Sequence, residues 1–365
     1  MANAGDTKPE LAKLRSFPSL KAESFQLPGD RKASQAVQQI PVVPQMLKAL
    51  SGGLFEKMAR MDQIANSYRL SPVQGRSIYR LIARAAEILG VEPIPEIFVR
   101  SGELNAYASG IDKYTITLTS SIISVMTEAE LLFVIGHELG HIKCAHMANK
   151  TLAHYVGYFG VEGLAMYIPV VGPLALQGLM APLAHWSRLA ELSCDRAGLL
   201  AVQDAAIAAS ALSKLGGWLP SEMGPINFEA VEAQLDEFET ADEGMIDSLL
   251  KVKKAADTRY DSHPLTALRI RKIRQWGMSD QYRSILETAQ AAGKVVESAQ
   301  VICVHCGSAV SAGDDFCAVC GTRSTGVRTS LCCPNEDCRH PIRSSQLFCT
   351  KCGTSVGRTD PAVIA

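Results

Sequence analysis

The run from Val134 to Ile142, V-I-G-H-E-L-G-H-I, constrains this chain most. It lies inside TEAELLFVIGHELGHIKCAHM (127–147), which reads as one helix with Thr127 as N-cap and Glu130 completing a capping box. His137 and His141 are four residues apart. On a helix they lie about 40° apart around the axis, on one face. Two imidazoles so placed can share one Zn²⁺ ion. Glu138, between them, is positioned to take a proton from a zinc-activated water and pass it to a leaving amine. A catalytic zinc takes three protein ligands and keeps one position open, so a third must come from elsewhere. A histidine ten residues after His137 is excluded, because Met147 stands there. His146 is one residue off, and on a continuous helix it points elsewhere, so it reads as structural or exposed.

The remaining candidate is Glu191, in R-L-A-E-L-S-C-D-R-A-G (188–198). Asp195 follows one turn later on the same face, placed to accept a hydrogen bond from a ligand imidazole and fix its tautomer. The competing interpretation is an ordinary i,i+4 surface pair.

With these residues in view, the chain resembles the M48 metallopeptidases, the gluzincin group with Ste24 and HtpX branches, over about residues 55 to 275. The resemblance implies an α+β, mainly helical domain with a small antiparallel sheet. It also implies a zinc endopeptidase with protein or peptide substrates, in which Glu138 is the general base. The segment Asn105, Ala106, Tyr107 before ITLTSSII then corresponds to a substrate-binding edge strand. D-S-H-P-L-T-A-L-R-I (261–270) resembles the family's His-Pro segment followed by an arginine, which assigns His263 to the oxyanion of the tetrahedral intermediate. Integral-membrane members carry one or more clear spans before the HExxH motif, and this chain shows none there, so a soluble or peripherally bound peptidase of the quality-control type fits better than prenyl-protein processing.

A second metal pattern closes the chain. Of eleven cysteines, nine fall between Cys303 and Cys352. Cys303 and Cys306 pair with Cys317 and Cys320, and Cys333 and Cys338 with Cys349 and Cys352. The closing halves F-C-A-V-C-G and F-C-T-K-C-G repeat 32 residues apart. Four thiolates on facing knuckles make a closed structural zinc site, so two zinc ribbons are expected over 300–358. That makes three Zn²⁺ ions in all, one catalytic and two structural. Cys332 competes with Cys333 as a ligand. Cys144 and Cys194 read as buried small residues within helices.

The rest is less specific. Residues 1–52 carry five prolines and no sustained periodicity, and are read as a flexible extension before a peptidase domain over 53–295. Residues 54–90 are helical, with Gly90 as the stop. Residues 95–100 and 114–123 are strands. Segment 151–187 carries one charge, Glu162, but is interrupted by Pro169, Pro173 and Pro182. A buried helix–turn–helix and a membrane-lying hairpin both stay open. The acidic stretch 221–250 and the basic stretch 251–283 read as solvated faces whose charges can pair with each other. The N-terminus lacks an apolar signal region, so a cytoplasmic address is the default, with membrane association through 151–187 as the addition. A net charge of -1 gives no footprint for nucleic acid. Two functions compete: an active peptidase in which the ribbons dock a partner, and an adaptor acting through the ribbons on a latent scaffold.

Overall fold

The computed structural model describes residues 14–50, 54–111, 113–167, 173–240 and 266–288, and four short strands at 301–302, 309–310, 331–332 and 341–342. Two compact units divide the chain, residues 1–293 and 294–365.

In chain order the helices of the first unit are α1 (Pro28–Gln38), α2 (Val43–Leu50), α3 (Leu54–Asn66), α4 (Arg76–Leu89), α5 (Ser120–Val125), α6 (Glu128–Lys143), α7 (Met147–Tyr167), α8 (Pro173–Val202), α9 (Ala205–Leu215), α10 (Pro220–Met223), α11 (Phe228–Thr240), α12 (Thr266–Gly277) and α13 (Asp280–Glu287). Its strands are β1 (Tyr68–Arg69), β2 (Glu96–Arg100), β3 (Ala106–Ser109) and β4 (Thr115–Thr119).

The unit is mainly helical, as expected, but the sheet is mixed rather than antiparallel. Its order is β1-β2-β4-β3, with β2 and β4 parallel and β1 and β3 antiparallel to their neighbours. The excursion through β3 between β2 and β4 lets those two strands run the same way. β4 is also shorter than its Ile- and Thr-rich sequence suggests. It stops at Thr119, whose hydroxyl accepts from the Ile122 N–H, and residues 120–125 turn into α5.

α6 is buried on nearly every side, because α4, α8, α9 and β3 all pack against it. The expected capping box is present: the Thr127 N–H donates to Glu130 Oε2 at 2.8 Å, and the Glu130 N–H donates to Thr127 Oγ1 at 3.3 Å. The partnership of α6 with α8 rests on small residues. A Cβ added to Gly140 would lie 2.7 Å from Ala197 Cβ and 3.2 Å from Cys194 Cα, and one on Gly136 2.4 Å from Ala201 Cβ. Only glycine at these positions lets the two backbones approach this closely.

The flexible N-terminal extension is corrected from residue 14 onward. Phe17 and Phe25 are buried in the main core, and α1 packs on α8. Pro28 and Pro44 stand in the first turns of α1 and α2. A second apolar cluster joins Val37, Val43, Met46 and Leu50 to Leu152, Val156, Leu179, Leu183 and Trp186 of α7 and α8. Residues 151–167 and 173–187 of that segment thus lie in α7 and α8, and their described apolar side chains are largely covered by α1 and α2. Among the described residues, no helix is long and apolar enough to cross a membrane. The acidic and basic stretches meet in part, with Arg271 of α12 donating to Asp236 of α11 at 2.7 Å.

In the second unit, β5 (Val301–Ile302) pairs antiparallel with β6 (Ala309–Val310), and β7 (Leu331–Cys332) with β8 (Pro341–Ile342).

Candidate metal centre

The close α6–α8 contact sets Glu191 of α8 opposite the two histidines of α6. His137 Nε2 lies 3.4 Å from Glu191 Oε2, and His141 Nε2 lies 3.4 Å from Glu191 Oε1. The three side chains are buried, at 3%, 2% and 7% exposure. A contact of 3.4 Å is long for a charge-assisted hydrogen bond. It is instead the separation of two donors on one tetrahedral ion, about 3.3–3.4 Å when each bond is about 2.0–2.1 Å. His141 Nε2 is fully buried and makes no hydrogen bond, an arrangement that is costly without a metal to accept its lone pair. The residues present therefore fit a zinc ion.

A second donor group overlaps this one. His137, His141 and Cys194 each bring a ligand atom within 4.8 Å of the others, a cluster also compatible with zinc. Burial raises the Cys194 thiol well above its usual range, and its Sγ lies 3.6 Å from His146 Nδ1. A thiol that resists ionisation is a poor ligand, whereas the Glu191 carboxylate is held ionised. Burial alone would raise Glu191, but Arg269 and His137 outweigh it and lower it well below the ordinary carboxylate range.

Asp195 sits one turn after Glu191, and His137 Nδ1–H donates to its Oδ1 at 3.0 Å. This leaves Nε2 as the lone pair facing Glu191. Arg269 of α12 closes the arrangement. Its Nε donates to Asp195 Oδ2 at 2.8 Å, one terminal nitrogen donates to Oδ1 at 2.6 Å, and the other lies 3.2 Å from Glu191 Oε2. This planar fork matches two carboxylates at once and keeps both ionised in a dry site. Without an ion, burial would lower His137, but Glu191 and Asp195 raise it to about 9. His141 falls to about 3 through burial and the nearby Lys150 cation.

Glu138, 1% exposed, lies on α6 beside His141 and faces β3 and α7. Its Oε2 accepts from the Ala108 N–H of β3 at 2.7 Å and from Lys150 Nζ at 3.2 Å. β3 is the terminal strand of the sheet. Asn105 exchanges hydrogen bonds with Thr119, whose N–H donates to the Asn105 carbonyl at 3.1 Å. Backbone alternation then turns the polar groups of Ala106 and Ala108 outward. Glu138 and the outer edge of β3 therefore adjoin each other.

Of the residues singled out in the sequence, His137, Glu138, His141, Glu191 and Asp195 converge here, with Ala106 and its neighbours Asn105 and Tyr107 alongside. His263 lies outside the described residues. So do Cys303, Cys306, Cys317, Cys320, Cys333, Cys338, Cys349 and Cys352. His146, read as structural or exposed, is fully buried and turns inward rather than away. Sequence reasoning missed Arg269 as a site residue, together with Asp30, Lys150 and the glycines Gly136 and Gly140. The glycines had a signal, the small-residue spacing repeated on α6 and α8. Arg269 had a weaker one, its place after the His-Pro pair.

Residues 72–277 match the profile of peptidase family M48. The chain is 35% identical over 277 residues to the plastoglobule-localized metallopeptidase 48, chloroplastic, of Arabidopsis thaliana, covering 75% of this chain and 78% of that protein. It is 26% identical over 242 residues to a protease HtpX homolog of Ralstonia pickettii, covering 60% of this chain and 79% of the relative. A protease HtpX homolog of Bordetella pertussis is 32% identical over 164 residues, 37% of this chain and 55% of its own length.

Proposed function

The chain belongs to peptidase family M48, and on that premise we propose that it is a zinc-dependent endopeptidase whose ion is held by His137, His141 and Glu191. The observation that carries this reading is the pair of 3.4 Å contacts that set both Nε2 atoms on the two oxygens of one carboxylate. When bound, zinc supplies Lewis acidity toward the scissile carbonyl and toward water. The remaining steps belong to the protein. Glu138 takes the proton of the attacking water and returns it to the departing amine. Lys150 and the Ala108 N–H hold that carboxylate in place. Arg269 and Asp195 keep Glu191 and His137 oriented. His263 is proposed for the oxyanion.

Substrate would add as a strand to the outer edge of β3, pairing with the backbone of Ala106. Asn105 and Tyr107 turn their backbone groups toward β4, so they would contact substrate only through side chains. A strand-shaped site requires an extended segment, which supports unfolded protein as the substrate class and a quality-control role. In the second unit, Cys303 directly follows Ile302, and Cys333 directly follows Cys332. Ile302 pairs with Ala309 as Cys332 pairs with Pro341, so the two hairpins correspond. This supports two Cys₄ ribbons, with Cys333 as the ligand and Cys332 as a strand residue.

The test is zinc content and casein cleavage of the wild type and of Glu138→Gln, Glu191→Ala and Cys194→Ala. Glu138→Gln is expected to keep about three zincs and lose about 10²–10⁴-fold of its cleavage rate. Glu191→Ala is expected to lose one zinc and its activity, and Cys194→Ala to keep both. Activity surviving in Glu138→Gln would remove the general base. Zinc lost from Cys194→Ala but kept in Glu191→Ala would replace the third ligand.

A further inference from the structure

The His137 ligand is oriented by Asp195 and Arg269. The His141 ligand has a support of its own, drawn from a different part of the chain. α6 ends at Lys143, and Ala145 adopts the left-handed conformation with φ 56°. The His146 N–H then donates to the His141 carbonyl at 2.9 Å, closing a Schellman turn. Glycine is the usual residue at such a position, so an alanine there must be held by its surroundings. The turn folds His146 back under His141, with the two Nδ1 atoms 3.2 Å apart. On its far side, His146 Nε2 lies 3.0 Å from Asp30 Oδ2. Asp30 belongs to α1, and both residues are 0% exposed. Gln26 Nε2 donates to the same Asp30 oxygen at 3.0 Å, and the ring of Trp186 packs edge-on against His146 at 5.5 Å.

We propose that Asp30 and His146 are positioning residues that orient His141 toward the metal. On this reading α1, which lies outside the segment matched to the family, is part of the metal centre. The proposal rests on His141 being a zinc ligand.

The direction of each hydrogen bond follows from the chemistry. An imidazole that offers Nε2 to a metal carries its proton on Nδ1, so His141 Nδ1–H donates to His146 Nδ1. His146 must then carry its own proton on Nε2, where the Asp30 carboxylate accepts it. Asp30 accepts only, so the chain has one orientation and cannot run backward. Cys194 Sγ, 3.6 Å from His146 Nδ1, is the other group near that acceptor. Since a protonated thiol is a weak donor, it does not displace the imidazole. The relay therefore fixes both the tautomer and the ring plane of His141, as an outer partner of a ligand histidine does.

The experiment uses the full chain and measures the dissociation constant of the catalytic zinc by competition with a chromophoric chelator. His137→Ala identifies that zinc as the one it fails to bind. The variants are His146→Leu, His146→Asn and Asp30→Ala, each checked for native fold by circular dichroism. His146→Leu and Asp30→Ala are expected to weaken the catalytic zinc by about 10–100-fold. His146→Asn should recover part of that loss, because its Oδ1 can accept from His141 where leucine cannot. Cobalt(II) put in place of zinc should show shifted d–d bands in His146→Leu. At saturating zinc, kcat should fall with KM unchanged. His146→Leu and Asp30→Ala both holding the zinc within about two-fold of wild type would overturn the relay. If His146→Leu does not fold, His146→Asn and Asp30→Ala decide the question in the same way. Equal zinc in the wild type and His137→Ala would instead refute the catalytic site itself.

Discussion

One substitution made at two helical glycines should change stability in opposite directions. Gly140 lies inside α6 and Gly157 inside α7, and alanine at either gains about 1 kcal/mol of helix propensity. The surroundings differ. A Cβ at Gly157 meets nothing within 4 Å, whereas one at Gly140 would sit 2.7 Å from Ala197 Cβ. Carbon atoms pack at about 3.5–4.0 Å, so α6 and α8 would have to separate by roughly 1 Å. Overpacking a dense core costs about 1–3 kcal/mol. Gly157→Ala should therefore raise the melting temperature, and Gly140→Ala should fall below it by the overpacking cost. At about 2–4 °C per kcal/mol for a unit of this size, the gap between the variants is about 2–12 °C. The same separation withdraws Glu191 from the two imidazoles, so only Gly140→Ala should also weaken the catalytic zinc. Thermal unfolding of zinc-loaded protein, followed by circular dichroism, checks the first part, and chelator competition the second. Equal stabilisation of both variants, with unchanged zinc affinity, would refute the claim that glycine sets the α6–α8 distance.

Arg269→Met removes a cation shared by two buried carboxylates, and truncating one side of such a cluster costs about 3–5 kcal/mol, readable as a lower melting temperature. Glu130 is raised by burial but lowered more by Lys214, Ser210 and the Thr127 N–H, leaving it below its ordinary range. Its contribution is therefore complete above the unfolded carboxylate pKa, about 4.3, and is lost as pH falls through the lower folded value. Glu130→Gln should lose less stability than wild type across that acid window in denaturant titrations. Cys333→Ser should release one structural zinc measured by mass spectrometry, while Cys332→Ser keeps it. Full chelation should remove all cleavage activity and restore it on zinc addition, since ligand groups and metal bind reversibly.

Local patterns in the sequence were enough for the helix around His137, its Thr127 cap and the Gly90 stop, because each depends on neighbours within a few residues. Glu191 and Asp195 were legible through their spacing, which puts both on one face of α8. Arg269 was legible only as the arginine after the His-Pro pair, and its burial was not, because nothing local separates a buried cation from solvated ones among nine bases in 251–283. Asp30 and His146 were hidden for a related reason. Their contact spans 116 residues and depends on a left-handed alanine that no helical extrapolation past Lys143 would place. The antiparallel sheet came from the family resemblance; strand composition does not encode direction, and only the route of the chain through β3 makes β2 and β4 parallel.

The residues of the proposed chemistry were already legible in the residue order: two imidazoles and a carboxylate on one helix turn, acids at the matching interval on another, and thiols in repeated pairs. What that order could not determine is which buried groups hold those side chains still. The contacts from His137 to Asp195 and from His146 to Asp30 are made across the core, between helices far apart in the chain, and such partners are selected by packing distance rather than by sequence separation.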